Sequence, residues 1–168
     1  MDATVYDRIS AKTDISEHLT TLYMLAVEHQ CKKILELGTR TGESTLALCA
    51  AARVTGGRVH SIDIEPCYEA VNRIDSAELD SYWHFIQQDD TKADWTEQVD
   101  MLFIDTDHTY SHTLAELQKY EPLTAKLVVM HDVVHDPPVK FAAMEYFAGR
   151  NCRIYEYVNN NGLLVIFK

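Results

Sequence analysis

The chain has 168 residues, 46% hydrophobic and 24% charged, the make-up of an ordinary soluble globular protein. Its length fits one domain burying roughly 70% of the surface its unfolded chain exposes. Lys and Arg number 15 against 26 Asp and Glu, a formal net charge of −11, which repels phosphate backbones and anionic lipid, so nucleic-acid and membrane partners are not expected.

The N-terminal stretch MDATVYDRISAKTD has no apolar core and does not read as a signal peptide. Asp14 or Ser16 can cap a helix running to about Gln30, with Leu19, Leu22, Tyr23, Leu25 and Ala26 as its apolar stripe. KKILELG (Lys32–Gly38) is a short apolar run ending at glycine, a buried strand. ESTLALCAAARV (Glu43–Val54) is helical and is stopped by Gly56-Gly57. RVHSIDI (Arg58–Ile64) is the second strand, and Pro66 fits the first turn of a helix over Tyr68–Leu79.

WHFIQQD (Trp83–Asp89) is the third strand, with a short helix or loop around Lys92–Glu97 after it. VDMLFID (Val99–Asp105) is the fourth, followed by a helix over His112–Tyr120 that Pro122 closes. AKLVVMHD (Ala125–Asp132) is the fifth, and Val139–Phe147 another helix. CRIYEYV and GLLVIFK pair as terminal strands through Asn159-Asn160-Asn161-Gly162, which is hairpin chemistry. Cys31, Cys49, Cys67 and Cys152 are scattered with no CxxC pair, so reduced thiols and a cytoplasmic location are expected.

Strand and helix alternate, and the strands are continuous apolar runs, which marks a parallel sheet covered on both faces. In such α/β sheets the ligand site lies beyond the carboxyl ends of the strands. Glu36, Gly38, Asp63, Asp89, Asp105, His131 and Asp132 all fall there. ILELGTRTGEST (Ile34–Thr45) puts Gly38 and Gly42 between strand and helix, where the backbone can turn tightly and approach a ligand. It is neither GxGxxG nor a P-loop, and an ordinary strand–helix turn is the plainer alternative. Asp63 can accept two ribose hydroxyls or cap the next helix; Asp89-Asp90 can meet an adenine amino group or belong to a polar loop.

VDMLFIDTDHTYSH (Val99–His112) ends a buried strand on Asp105, Asp107 and His108. Asp105 and Asp132, on neighbouring strands, can face each other across a divalent cation. His108 can serve as general base for a hydroxyl. Alternatively, the two acids are solvated and His108 caps the helix; Asp107 is a helix cap or a supporting group. His112 is expected to be an exposed helix residue, and His135 is ambiguous.

These motifs together resemble the class I S-adenosylmethionine-dependent methyltransferases, and among them the small metal-assisted O-methyltransferases related to the cephalosporin-hydroxylase and macrolide-sugar methyltransferase groups. ILELGTRTGEST matches the first motif and VHSIDIEP the second. FIDTDHTYSHTLAELQKYEPLTAKLVVMHD matches the later D-x-D-H-x-Y, Pro-Leu and His-Asp pattern, over residues 14–148 in all. The resemblance implies a Rossmann-like doubly wound sheet of order 3-2-1-4-5-7-6 with the last strand antiparallel, preceded by an N-terminal helix. It implies that Glu36, Gly38, Thr39 and Gly42 hold the methionine end of S-adenosylmethionine, Asp63 the ribose, and Asp89 and Asp90 the adenine side. Arg40, Ser44, Ile64 and Asp105 join them as cofactor contacts. Asp105 and Asp132, with His131, would bind Mg²⁺ or another divalent cation, and His108 would take the proton from the hydroxyl of a small acceptor such as a sugar, a phenol or a secondary metabolite. Two positions depart from the pattern: Thr106 and Gln88 stand where the family usually has glycine. With no long insertion to cover an acceptor, the site is open or completed in a homo-oligomer. A metal-dependent hydrolase using the same acids, and a non-catalytic cofactor-binding protein, are the competing readings.

Overall fold

The apolar runs form strands because each of their residues has a face to bury. The computed structural model describes Arg8 and residues 10–168, so most of the N-terminal stretch read for a signal peptide lies outside the described residues. Seven strands are present among the described residues: β1 (Lys33–Leu37), β2 (Arg58–Asp63), β3 (Trp83–Gln87), β4 (Val99–Ile104), β5 (Thr124–His131), β6 (Arg153–Tyr157) and β7 (Leu163–Phe167). The longer helices are α1 (Leu19–Glu28), α2 (Glu43–Thr55), α3 (Tyr68–Ser76), α4 (Tyr110–Tyr120) and α5 (Pro137–Phe147).

The strands join in the order β3-β2-β1-β4-β5-β7-β6. β7 runs antiparallel to both β5 and β6, and the remaining pairings are parallel. This is the order and the antiparallel strand that the motifs imply. Successive side chains alternate between two apolar layers. Ile34, Met101, Phe103, Leu127 and Val129 pack with α1, α2 and α3, while Leu35, Leu102, Ile104, Val128 and Met130 pack with α4 and α5. Each such fully buried side chain stabilises the fold by about 1.5–3 kcal/mol relative to exposure. No helix among the described residues is long and apolar enough to cross a membrane.

The sequence-based boundaries shift where side chains find other partners. α1 starts at Leu19 without a side-chain cap, because Ser16 Oγ donates to the Thr13 carbonyl and Asp14 accepts from Arg40 Nη1 at 2.7 Å. Pro66 lies ahead of the cap of α3, Cys67, whose φ of 45° turns the chain into the helix. α3 ends at Ser76, since Glu78 takes a left-handed φ of 56°. Residues 93–98 form a loop, not a helix. α4 begins two residues early, at Tyr110, and α5 begins on Pro137-Pro138, whose missing N–H groups cost nothing in a first turn.

Candidate functional site

Sheet order reverses between β1 and β4, which opens a crevice at their carboxyl ends. Gly38 follows β1 there with φ of 85°, and a Cβ on it would stand 1.9 Å from the Asp105 carbonyl oxygen. Only glycine lets the two strand ends come so close. Gly42 leads into α2 with φ of 78°, and a Cβ there would meet Ala70 Cβ at 2.6 Å.

Behind this loop Glu36 is completely buried. Its carboxylate accepts from Ser44 Oγ, Thr45 Oγ1 and Ser61 Oγ at 2.7, 2.7 and 2.5 Å, and Trp83 Nε1 donates to Ser61 Oγ. Burial pushes the Glu36 carboxyl up to about 7, although the three hydroxyls pull it down. Asp63 accepts from the Thr39 and Arg40 amides at 2.7 and 3.0 Å and from the Glu65 amide at 2.9 Å. Burial raises its pKa, but these backbone donors outweigh that and hold it below the usual carboxylate range.

Two cavities meet at the crevice. The larger, about 400 Å³, has Gly38, Asp63 and Ile64 on one side, Gln88–Thr91 on another, and Thr106, Asp107 and His112 on a third. The smaller, about 120 Å³, is bounded by Thr39 and His108, and shares Gly38, Arg40, Asp105 and Thr106 with the first. Glu36, Gly42 and Ser44 reach neither cavity; they support the loop from behind. Asp89 faces the larger cavity while accepting from Thr91 and from Lys92 Nζ. The Lys92 ammonium, with Thr91, holds its carboxyl down at about 2. Ile64, 65% exposed, offers an apolar edge at the mouth.

Asp105, His108, His131 and Asp132 come together beside the smaller cavity. His108 Nε2 lies 3.0 Å from Asp132 Oδ2 and 3.6 Å from Asp105 Oδ1. His131 Nδ1 lies 3.3 and 3.5 Å from the same two oxygens. Despite this proximity, His108 Nε2, His131 Nδ1 and Asp132 Oδ1 are buried without a hydrogen-bond partner. His131 Nε2 faces the Asn160 carbonyl at 3.1 Å; since a carbonyl can only accept, that nitrogen carries the proton and Nδ1 faces the acids. Asp132 adopts a left-handed φ of 58°, a conformation that aspartate tolerates better than most residues. Asp105, His108 and Asp132 each place one potential ligand atom within 4.8 Å of the other two, and His131 adjoins the same two acids; carboxylate and imidazole are groups able to ligate a divalent cation, of which all or part of this set could serve.

The pKa shifts agree in direction. The Asp105 and Asp132 carboxylates raise His108 to about 10. Burial lowers His131, but the same acids overcome it and raise that residue to about 10 as well. Ion-free, the cluster therefore holds two imidazolium protons against two carboxylates, and one divalent cation is the charge equivalent of those protons.

Several site residues escaped sequence reasoning. Asp136 Oδ2 lies 3.1 Å from His108 Nδ1 and 2.9 Å from exposed His135; an acid before Pro-Pro reads as a helix cap, which hides it. His112 is a correction: it faces the larger cavity, with Nε2 3.1 Å from Asp90 Oδ2, because it stands one turn before buried Glu116 and shares that side of α4. Asp107 forms the turn into α4 by accepting the Thr109 amide. Thr106 does not crowd the acids, since its hydroxyl donates to Glu116 Oε1 at 2.6 Å.

Known proteins carry the same architecture. An S-adenosylhomocysteine-bound methyltransferase from Podospora anserina superposes with a TM-score of 0.77 at 11% identity, covering 100% of this chain and 89% of that one. The Streptomyces achromogenes O-methyltransferase TomG, of tomaymycin synthesis and in complex with S-adenosylmethionine, gives 0.70 at 20%, covering 99% and 90%. A Bacillus cereus O-methyltransferase in complex with S-adenosylhomocysteine gives 0.70 at 18%, covering 100% and 92%. No curated protein sequence matches this one. The profile of a methyltransferase domain family matches residues 35–136, from β1 through the Asp105–Asp132 cluster. With that match spanning most of the strand ends just described, the chain belongs to this family of methyltransferase domains.

Proposed function

We propose that the protein is an S-adenosylmethionine-dependent O-methyltransferase acting on a small hydroxylated acceptor with the help of a divalent cation. The observation that carries this reading is the pair of cavities sharing the Gly38–Asp105 wall: one suits a nucleoside-bearing cofactor, the other holds an acid–imidazole cluster. When bound, S-adenosylmethionine supplies an electrophilic methyl group and the cation lowers the pKa of an acceptor oxygen.

Gly38, Thr39 and Arg40 would hold the methionine end, Asp63 the ribose, and Ile64 with Asp89 and Asp90 the adenine. Glu36 and Ser44 stiffen that loop, so its amides need no reorganisation on binding. Asp105, Asp132 and His131 would hold the cation. The carboxylates that keep His108 protonated are the same ones that would be neutralised there. With their charge balanced, His108 would lose the cause of its raised pKa, and Nε2 could take a proton from the acceptor hydroxyl. Asp136 at Nδ1 fixes the ring. Much of the rate enhancement in such a transfer comes from holding two reactants in line.

Calorimetry with S-adenosylhomocysteine tests the cofactor half: micromolar-range binding is expected, and no detectable heat would sink the reading. Asp105→Asn and Asp132→Asn should each abolish Mg²⁺ or Mn²⁺ binding while leaving cofactor affinity within a few-fold. Cofactor binding without any cation affinity in the parent protein would favour a non-catalytic binder; cation-dependent ester or phosphate cleavage without cofactor affinity would favour a hydrolase.

A further inference from the structure

A second cluster of ligating groups lies at the wall of the larger cavity, which Asp90 and His112 line, apart from the acids that the methyl-transfer reading uses for a cation. His112 and Glu116 sit four residues apart on α4, on one helix face, and Asp90 reaches them from the loop after β3. His112 Nε2 is 3.1 Å from Asp90 Oδ2 and 3.7 Å from Glu116 Oε1. One ligating atom from each of the three lies within 4.8 Å of the other two. Ligands at 2.0–2.1 Å around a tetrahedral ion stand about 3.3–3.4 Å apart, so these separations bracket the spacing that an ion needs.

The second observation is the state of Glu116. Its side chain is completely buried, and Asp90 is only 8% exposed. Glu116 Oε1 is engaged by Thr106, but Oε2 is buried with no hydrogen-bond partner. A buried carboxylate oxygen left unmatched costs more than folding ordinarily tolerates. Lys119, the nearest cation on α4, is committed elsewhere: its ammonium donates to the carbonyls of Asp90, Thr91 and Ala93. Either a proton shared between Glu116 and Asp90 or a cation that accepts electron pairs from Asp90, His112 and Glu116 at once would fill the gap.

We propose that Asp90, His112 and Glu116 form a second divalent-cation site, of the kind that takes Zn²⁺ or Co²⁺. One imidazole and two carboxylates leave a fourth position facing the larger cavity, as in sites with three protein ligands. Thr106 links the two clusters: its backbone follows Asp105 and its hydroxyl orients Glu116. This site shares Asp90 with the adenine contacts assigned above but none of the residues assigned to the other ion, so the two ions can be tested apart.

The test is a titration of the chelator-treated full-length protein with Co²⁺, followed by visible absorption and by calorimetry. Glu116→Gln preserves side-chain size and the bond from Thr106, and His112→Gln is the companion variant. Each should lower the number of ions bound per chain by one. The affinity of that ion should fall by more than the roughly 10–100-fold that loss of an outer partner costs. In Asp105→Asn/Asp132→Asn one ion should remain. If that double variant does not fold, the count in the parent protein against Glu116→Gln decides the matter. Unchanged ion count and affinity in both Glu116→Gln and His112→Gln overturns the proposal, and leaves a proton shared by Glu116 and Asp90 as the occupant of the gap.

Discussion

Glu36 carries its consequences in a single proton. Its folded pKa of about 7 lies above the ordinary 4.5, so between those values the folded chain holds a proton that the unfolded chain has released. Stability from this source is full below about pH 4.5 and is lost as pH rises through about 7, by roughly 3 kcal/mol. Glu36→Gln should flatten that part of the profile, measured by urea unfolding at half-unit steps. Asp132 behaves in the opposite sense. Burial opposes its charge, but His108 and His131 hold its carboxyl well below the usual range, and it is nearly inaccessible. In chelator, Asp132→Asn removes one partner from a buried charge cluster and should cost about 3 kcal/mol, while also lowering the His131 pKa seen by NMR titration. An unchanged imidazole titration would show that the two groups do not interact.

At the scale of elements, the crevice exists because β1 and β4 end within touching distance. Gly38→Ala forces a Cβ into the Asp105 carbonyl at a left-handed φ; it should cost more than about 2 kcal/mol and weaken cofactor binding with it. Gly56→Ala, at a φ of 69° but in open space, should cost only about 1 kcal/mol and leave binding intact. Guanidinium unfolding and calorimetry of both variants separate strain at the site from strain in general. All seven strands were legible in the sequence, the central ones as short apolar runs such as LFI and LVVM and the last two from the Asn-Gly turn between them. Helix starts were less so: Asp14 and Ser16 have cap chemistry, but Arg40 and Thr13 claim them. Asp63, Asp105, His108 and Asp132 could be picked out because they stand directly at strand ends. Asp136, Glu116 and inward-turned His112 could not, because their roles depend on which way a helix rotates after a loop.

For the whole molecule, a ligand bound only by the folded state must raise its stability. S-adenosylhomocysteine at about 100 times its dissociation constant should add roughly 2.7 kcal/mol, raising Tm by roughly 5–10 °C for a chain of this size. Thermal scans with and without the compound check this; no shift at saturating concentration would contradict the calorimetric assignment. The β6–β7 hairpin has a bearing on how the site is held. Asn160 bonds the Glu17 amide and the Thr13 carbonyl across 143 and 147 positions, while its own carbonyl faces His131. The imidazole beside Asp105 is thus oriented by a loop that is itself tied to the segment leading into α1. Closing the sheet with the β6–β7 hairpin and aiming the His131 ring are therefore one event, so whatever loosens the hairpin also frees the imidazole.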